Sequence, residues 1–507
     1  MGPGLEALLG QQLQRAVAPL RPLVHRRHRE RLREGQPDPD AVERARGTWW
    51  GADPRWYRGG TPPRQHNRVT PLIHGDAYFP ALERAMAEAT AYVYIVGWCL
   101  TPHFPLRRGG RQELVDSRVL ALLQETAKRI PVRLLLWSGA PALIQPTTRV
   151  VNDTVRRIVA ETHGDLQVRV DPTAGATHCH HQKAVVVDGQ LAFLGGMDLT
   201  TFSGDRWDTA RHPLRAGVNW HDVQVMLEGE AVADVEENFR QRWEAVDEGA
   251  ALPHREPHVE PEWRTPVQVA RTIPAGAYPF APRGEFGIHH AYVEAIRRAE
   301  HLIYLESQYL WSPEILDALT DAMDAPHPGP FRIVVVLPAR ATSGKWDNDR
   351  HVDMLRHADA GRGIVSVFCP YTSGPTTGVR AFTYRPIYVH AKVGVIDDSW
   401  CTVGSANLNE RGLVTDGEIN AVISDPDIAR SLRIALWAEH LGMPEKAVAA
   451  ADSTQLVDEA WARQAAENDA IIGRGDGPLT GTVVTYRTGH MPGSWLREEV
   501  EVMTFER

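Results

Sequence analysis

The strongest constraint on this chain is that it repeats itself. His181, Lys183 and Asp188 form an H-x-K-x4-D pattern, and His390, Lys392 and Asp397 form the same pattern 209 residues later. The register continues downstream: Gly195 maps onto Gly404, Gly196 onto Ser405 and Asp198 onto Asn407. One such motif is a weak signal. Two in one register, each trailed by a small-small-x-Asp/Asn turn, mark a duplicated unit. Upstream, residues 81–98 match 291–308 at an offset of 210, and each stretch runs from helical spacing into a β-rich segment. The apolar runs 132–137 and 331–338 follow in turn. Short apolar runs separated by helical segments predict buried parallel strands. The expected fold is α/β, with two pseudo-symmetric lobes, each a mostly parallel sheet flanked by helices. The expected boundaries are a basic, irregular extension over 1–60, a first lobe over 61–255, a second over 256–450, and a tail over 451–507. A Pro-rich stretch without periodicity, ALPHREPHVEPEWRTP, suits a linker between the lobes.

In VHAKVGVIDD, His390 and Lys392 alternate with Val389, Ala391 and Val393, so on a strand both point to one face. His181 and Lys183 do the same. Two lobes packed about a pseudo-two-fold axis would bring both pairs into one site. Two imidazoles and two ammonium groups suit attack on a phosphodiester. One neutral histidine attacks phosphorus, and the other protonates the leaving alcohol and later deprotonates water. Imidazole serves both tasks because its unperturbed pKa is near 6.5. The lysines hold the non-bridging oxygens, and Ser405 and Asn407 add neutral donors. This chemistry calls for no metal and no other cofactor. The motif groups Asp188 and Asp397 with the catalytic residues, although their place before turn residues favours bonding to nearby backbone. Asp222 in NWHDVQVMLEG and Glu418 in TDGEINAVISD are the candidates to orient the histidines.

The stretch HCHH, His178 to His181, invites a zinc reading. Strand alternation puts Cys179 and His181 on one face and His178 and His180 on the other, so the four cannot close one tetrahedral site. The second copy keeps only His390 of the four. The net charge of −9 over 507 residues excludes a general polyanion binder, and no Arg/aromatic runs flank the motifs, which argues against nucleic acid as partner. No run of about 18 apolar residues occurs, so no integral membrane segment is expected. No secretory signal is seen. The four cysteines are far apart and read as reduced thiols. Residues 1–35 hold seven arginines against three glutamates, a basic helical stretch that reads as a solvated face or a contact with anionic lipid.

The blocks NRVTPLIHGDAYFPAL, YIVGWCLTP, HHQKAVVVDG, FLGGMDLT, GDRWDTARHP, WHDVQVMLEG, IYLESQYL, YVHAKVGVIDD, GSANLNERG and LWAEHLG resemble the phospholipase D superfamily over roughly residues 67–445. Among its members, phospholipase D proper of eukaryotic type is the most similar. The resemblance implies that His181 is the nucleophile and His390 the acid and base. It implies a phosphatidylcholine-type substrate at a membrane surface, giving phosphatidic acid and free head group, with transfer to another alcohol as a further reaction. It also implies that Glu306, Gln308 and Trp98 lie near the substrate. LESQYL replaces the more usual IENQYF. The alternatives are a phosphatidyltransferase such as a cardiolipin synthase, or a nuclease of the same superfamily. The expected state is a monomer, cytoplasmic or peripheral to a membrane, with export by a signal-independent route left open.

Overall fold

A computed structural model describes residues 21–34, 53–141, 146–174, 178–215, 217–247, 249, 252–341, 344–376 and 381–489. Most of the expected 1–60 extension and the end of the expected tail fall outside them.

Strands β1 (Asn67–Ile73), β2 (Val93–Gly97), β3 (Val132–Trp137), β4 (Leu166–Asp171), β5 (Ala184–Val187), β6 (Leu191–Gly195), β7 (Asn219–His221) and β8 (Val223–Gly229) come from the first copy. All but β7 form one sheet in the order β1-β8-β6-β5-β2-β3-β4. The second copy supplies β9 (Val267–Ile273), β10 (Glu285–Phe286), β11 (Leu302–Glu306), β12 (Arg332–Val336), β13 (Val365–Pro375), β14 (Phe382–Val389), β15 (Val393–Ile396), β16 (Trp400–Gly404) and β17 (Glu418–Ile423). Its central order, β9-β17-β16-β15-β11-β12-β13, repeats that of the first sheet strand for strand. The start of β5 at Ala184 and of β15 at Val393 keeps the 209-residue register.

The sheets are mixed, not mostly parallel. Within each seven-strand order only two pairings are parallel, β2–β3–β4 and β11–β12–β13. The other pairings are antiparallel, because β5–β6 and β15–β16 are tight hairpins. Full burial on both faces makes a strand read as a continuous apolar run whatever its direction, and that is what the parallel reading missed.

One buried cluster joins the two sheets. Ala184 and Val186 of β5, Leu194 of β6, Val393 and Val395 of β15 and Val403 of β16 all belong to it. The alternate residues face outward under helices: Val185 and Val187 pack with Phe79 and Leu82 of the helix His74–Glu88, and Ile396 packs with Tyr292 and Ile296 of the helix Gly287–Arg297. Burying one such Val, Leu or Ile side chain contributes about 1.5–3 kcal/mol. The layers therefore run helix, sheet, sheet, helix. The tail is not a loose appendage where it is described. β18 (Val483–Thr485) adds to β13, and Trp461 is fully buried beside Tyr304 and Trp437.

The motif aspartates close the far ends of β5 and β15. Asp188 accepts from the amides of Thr90, Ala91 and Tyr92 at 2.7, 2.7 and 3.0 Å, and Asp397 accepts from Glu300, His301 and Leu302 at 2.8 Å each. Both have φ above +50°, a conformation Asp tolerates better than most residues. They tie the β5 and β15 turns to the leads into β2 and β11. They do not reach the motif histidines, which lie before the opposite strand ends, so their grouping with the catalytic residues is corrected. Asp188→Ala and Asp397→Ala should each lower stability by about 2–3 kcal/mol in a urea midpoint. Burial raises the Asp188 carboxyl, but the amides outweigh it and hold it below its usual value. The loss in Asp188→Ala should thus be full above the unfolded Asp pKa and shrink as pH falls through the folded one. A hundredfold loss of turnover at unchanged stability would instead make these aspartates catalytic.

Candidate active site

Both histidine–lysine pairs sit just before a strand rather than on it. His181 to Lys183 lead into β5, and His390 to Lys392 link β14 to β15. What fixes them is the opposite copy. The His181 amide donates to the Gly417 carbonyl at 2.8 Å, and the His390 amide donates to the His221 carbonyl at 2.8 Å. Gly417 in turn donates to the Cys179 carbonyl at 2.9 Å, and β7 pairs in parallel with β14, setting His221 beside Val389.

The residue after each of those carbonyls is a candidate orienting carboxylate. His181 Nδ1 lies 3.0 Å from Glu418 Oε1, and His390 Nδ1 lies 2.7 Å from Asp222 Oδ2. Each histidine is thus held by a carboxylate of the other copy. Each carboxylate is seated by its own copy's small-small turn. Ser405 Oγ donates to Glu418 Oε2, and a Cβ on Gly196 would stand 2.0 Å from Asp222 Oδ1. The Trp220 indole N–H also donates to Asp222 Oδ2 at 3.2 Å, and its ring packs 4.8 Å from His390. With Nδ1 engaged, the imidazoles keep Nε2 for chemistry, and among the described residues neither Nε2 makes a hydrogen bond. The ring centroids are 6.4 Å apart.

Lys183 Nζ pairs with Asp198 at 3.1 Å and donates to its own motif's His181 carbonyl at 2.6 Å. Lys392 Nζ donates to the His390 carbonyl in the same way. Both ammonium groups are buried. Burial, with Lys183 and Lys392, holds the His181 imidazole well below its ordinary pKa. Burial, Lys392, Arg206 and Lys183 do the same to His390. Burial pushes the Lys392 ammonium down to about 7 against the pull of Asp222. Burial pushes the Glu418 carboxyl well above its usual value against Lys183 and Ser405, and raises Asp222 against Lys392 and Trp220. Lys183, Lys392 and Arg206 thus surround two imidazoles held toward neutrality, an arrangement that suits an anion.

Trp98 lies at the wall, its ring 6.3 Å from His181 and 5.9 Å from Lys183 Nζ. Gln308, its counterpart at an offset of 210, donates to Tyr388 Oη at 2.6 Å and stands 3.5 Å from Asn407 Nδ2. Tyr388 stacks on Trp220. Two substrate assignments need correction. Ser405 is fully buried and bonds Glu418, so it positions the carboxylate. Glu306 is fully buried and accepts from His221 Nε2 at 2.6 Å and His440 Nε2 at 3.0 Å, so it supports the segment behind His390. Of the HCHH stretch only His181 faces the site. His180 Nε2 lies 2.9 Å from Thr173 Oγ1 and 3.1 Å from Asp171, and Cys179 is buried with its amide on Asp416.

Arg206 is the cation that motif reading missed. It is buried over the Trp220 face at 4.4 Å and acts on His390. The signal was the GDRWDT block, where an arginine follows a Gly-Asp turn; nothing in its spacing says it folds under NWHD.

Comparison with known proteins divides along the repeat. Residues 85–219 match the family model described as phospholipase D, and residues 292–438 match the one described as cardiolipin synthase, PLD-like domain. Phospholipase D A of Dictyostelium discoideum is 25% identical over 75% of this chain and 36% of its own length. Phospholipase D1 of Saccharomyces cerevisiae is 23% identical over 79% of this chain and 30% of its own. Phospholipase D alpha 1 of Cynara cardunculus is 25% identical over 76% and 67%. The chain thus spans about a third of the length of the first two relatives. The crystal structure of a phosphatidylserine synthase from Haemophilus influenzae shares the fold, with a TM-score of 0.52 at 11% identity over 87% of this chain and 95% of that one. Each family model covers one copy of the repeat and one histidine–lysine pair, and the chain belongs to the phospholipase D superfamily.

Proposed function

We propose that this chain is a phosphodiesterase of phospholipase D type, cleaving phosphatidylcholine-like lipids to phosphatidic acid and a free head group. The observation that carries the reading is the reciprocal pair: two imidazoles 6.4 Å apart, each with Nδ1 on a buried carboxylate of the opposite copy. His181 Nε2 attacks phosphorus and the bond to the head-group oxygen breaks. His390 gives its Nε2 proton to the departing alkoxide. Water then attacks the phosphohistidine, His390 takes the water proton, and the phosphorus–nitrogen bond breaks to restore His181. Lys183, Lys392 and Asn407 hold the non-bridging oxygens. The diester's negative charge offsets the lysines, lifting the His390 pKa so that it carries a proton in the complex.

The lipid source is a membrane surface, and no helix among the described residues is long and apolar enough to cross one. A transfer reaction is the second reading, favoured by the match of the second copy to the cardiolipin synthase model. An alcohol would replace water in the second step. Phosphatidylcholine vesicles with ethanol test both. Choline release with phosphatidylethanol supports the proposal. Cleavage of DNA with no lipid product overturns it.

His181→Ala and His390→Ala should each lower kcat by at least about 10³-fold. Glu418→Gln and Asp222→Asn should lower it by about 10²–10⁴-fold, since each loses the partner that fixes the tautomer. With labelled lipid and alkaline denaturation, label should stay on the wild-type protein and be absent from His181→Ala; retention there would remove His181 as nucleophile.

The pH profile follows from the shifts. His181 depressed below its ordinary value stays neutral, hence nucleophilic, well into the acid range. Lys392 loses its charge as pH rises through about 7 in the free protein. kcat/KM, which reports the free protein, should therefore keep its acid limb below the ordinary histidine value, start to fall on the alkaline side below neutrality as His390 loses its proton, and fall more steeply near 7 as Lys392 does. An alkaline limb beginning only in the ordinary lysine range would show that Lys392 keeps its proton.

A further inference from the structure

Behind the His390 side of the site lies a second cluster that the two-histidine chemistry does not use. His74, His212, His221 and Glu439 each offer one ligand atom, and these four atoms lie within 4.8 Å of one another. His74 Nε2 is 2.7 Å from Glu439 Oε2, while His212 Nε2 and His221 Nδ1 are each 3.0 Å from Glu439 Oε1. The side chains are at most 4% exposed. We propose that these three histidines and one glutamate bind a structural divalent transition ion of the zinc class, which clamps the two copies together behind His390.

The geometry suits the ion in three ways. First, the donor set is three imidazole nitrogens and one carboxylate oxygen, the number and kind that a tetrahedral zinc site takes. Ligand bonds of about 2.0–2.2 Å would put neighbouring donors about 3.4 Å apart, so the donors, now within 4.8 Å of one another, would draw together around the ion. Second, two of the histidines have a carboxylate behind the ring. His212 Nδ1 lies 3.1 Å from Asp208 Oδ2, and His221 Nε2 lies 2.6 Å from Glu306 Oε2. That carboxylate–histidine–metal arrangement fixes the tautomer that leaves the other nitrogen free to ligate. Third, the backbone is strained at two of the four ligands. Among the described residues seven that are not glycine have positive φ, and two of these are His74 at 64° and His212 at 41°. Such conformations cost about 1–3 kcal/mol each and persist where the surroundings demand them.

The ligands come from four separate segments. His74 opens the helix after β1, His212 lies in the loop before β7, His221 ends β7, and Glu439 sits on the helix Pro426–Leu441 of the second copy. His221 also carries the carbonyl that accepts the His390 and Ala391 amides at 2.8 and 3.1 Å, and Asp222 follows it. The ion would sit on the far side of this segment from phosphorus, with no open position for substrate or water. Its role is to hold Asp222 and His390 in register. It is distinct from the HCHH stretch, whose residues face different ways.

The test uses the full chain purified without chelator. Elemental analysis should find about one zinc-class ion per chain, and removal by a strong chelator should lower the melting midpoint by about 5 °C or more, with recovery on adding zinc. Glu439→Gln, which keeps a hydrogen-bonding carbonyl, should hold less than about a fifth of the wild-type metal. Cobalt loaded into the stripped wild-type chain should show the visible absorption of a tetrahedral centre. Less than about a tenth of an ion per wild-type chain, with no zinc-dependent shift in melting, would overturn the proposal and leave the cluster a hydrogen-bonded ion network. The wild-type readings decide even if the variant fails to fold.

Discussion

Everything at the candidate site hangs on one reciprocal exchange. Each copy hands the other a carbonyl and then a carboxylate: Gly417 and Glu418 for His181, His221 and Asp222 for His390. The carbonyl pins the backbone and the carboxylate aims the ring. An unpaired buried carboxylate would cost several kcal/mol, so Asp222 and Glu418, both buried, are tolerable only with their partners across the seam. Neither copy has a complete site alone. The inter-sheet core and the two histidines are therefore parts of one requirement, because misplacing the sheets misplaces both imidazoles at once.

Electrostatics then sets the resting state. Burial, with Lys183 and Lys392 beside both rings and Arg206 beside His390, holds both imidazoles well below their ordinary pKa, toward the neutral form. Resting neutrality suits a nucleophile and not an acid. In the proposed reaction the substrate would supply what is missing, since a phosphodiester brings the negative charge that lets one ring take a proton. In the proposed reaction, a site built this way would bind the anion and arm the acid in the same event.

The repeat made much of this legible. The 209-residue register survives as the matched starts of β5 and β15, and Asp222 and Glu418 could be picked out as carboxylates on strand ends after each motif. Three things were hidden for physical reasons. Strand direction was hidden because β5 and β15, buried on both faces, carry no alternation. That each carboxylate serves the opposite copy's histidine was hidden because sequence order says nothing about which lobe a strand end abuts. The buried cluster was hidden because His74, His212, His221 and Glu439 have no common spacing. A trace of it was there in the comparison of copies: Glu306 stands where the first copy has Val96, a charge for an apolar residue on a central strand. Asp188 and Asp397 teach the converse. A motif can be intact for the sake of a turn that positions its chemistry.

The remaining question is how a pseudo-symmetric site divides two unlike tasks between like residues. Perfect symmetry would give both rings the same proton affinity. The copies differ where it matters. Arg206, stacked on Trp220, acts on His390, and the histidine it bears on is the one assigned to donate a proton. A cation beside an imidazolium makes it a stronger acid, and a stronger acid protonates a departing alkoxide faster. His181 faces Trp98 and is the more exposed ring, 16% against 7%, as suits a group that must reach phosphorus. Its carboxylate, Glu418, shares its second oxygen with Ser405, whereas the matching position beside Asp222 is Gly196. The duplication supplies two equivalent histidines, and under the proposed mechanism a few unmatched neighbours suit one to be the nucleophile and the other the acid.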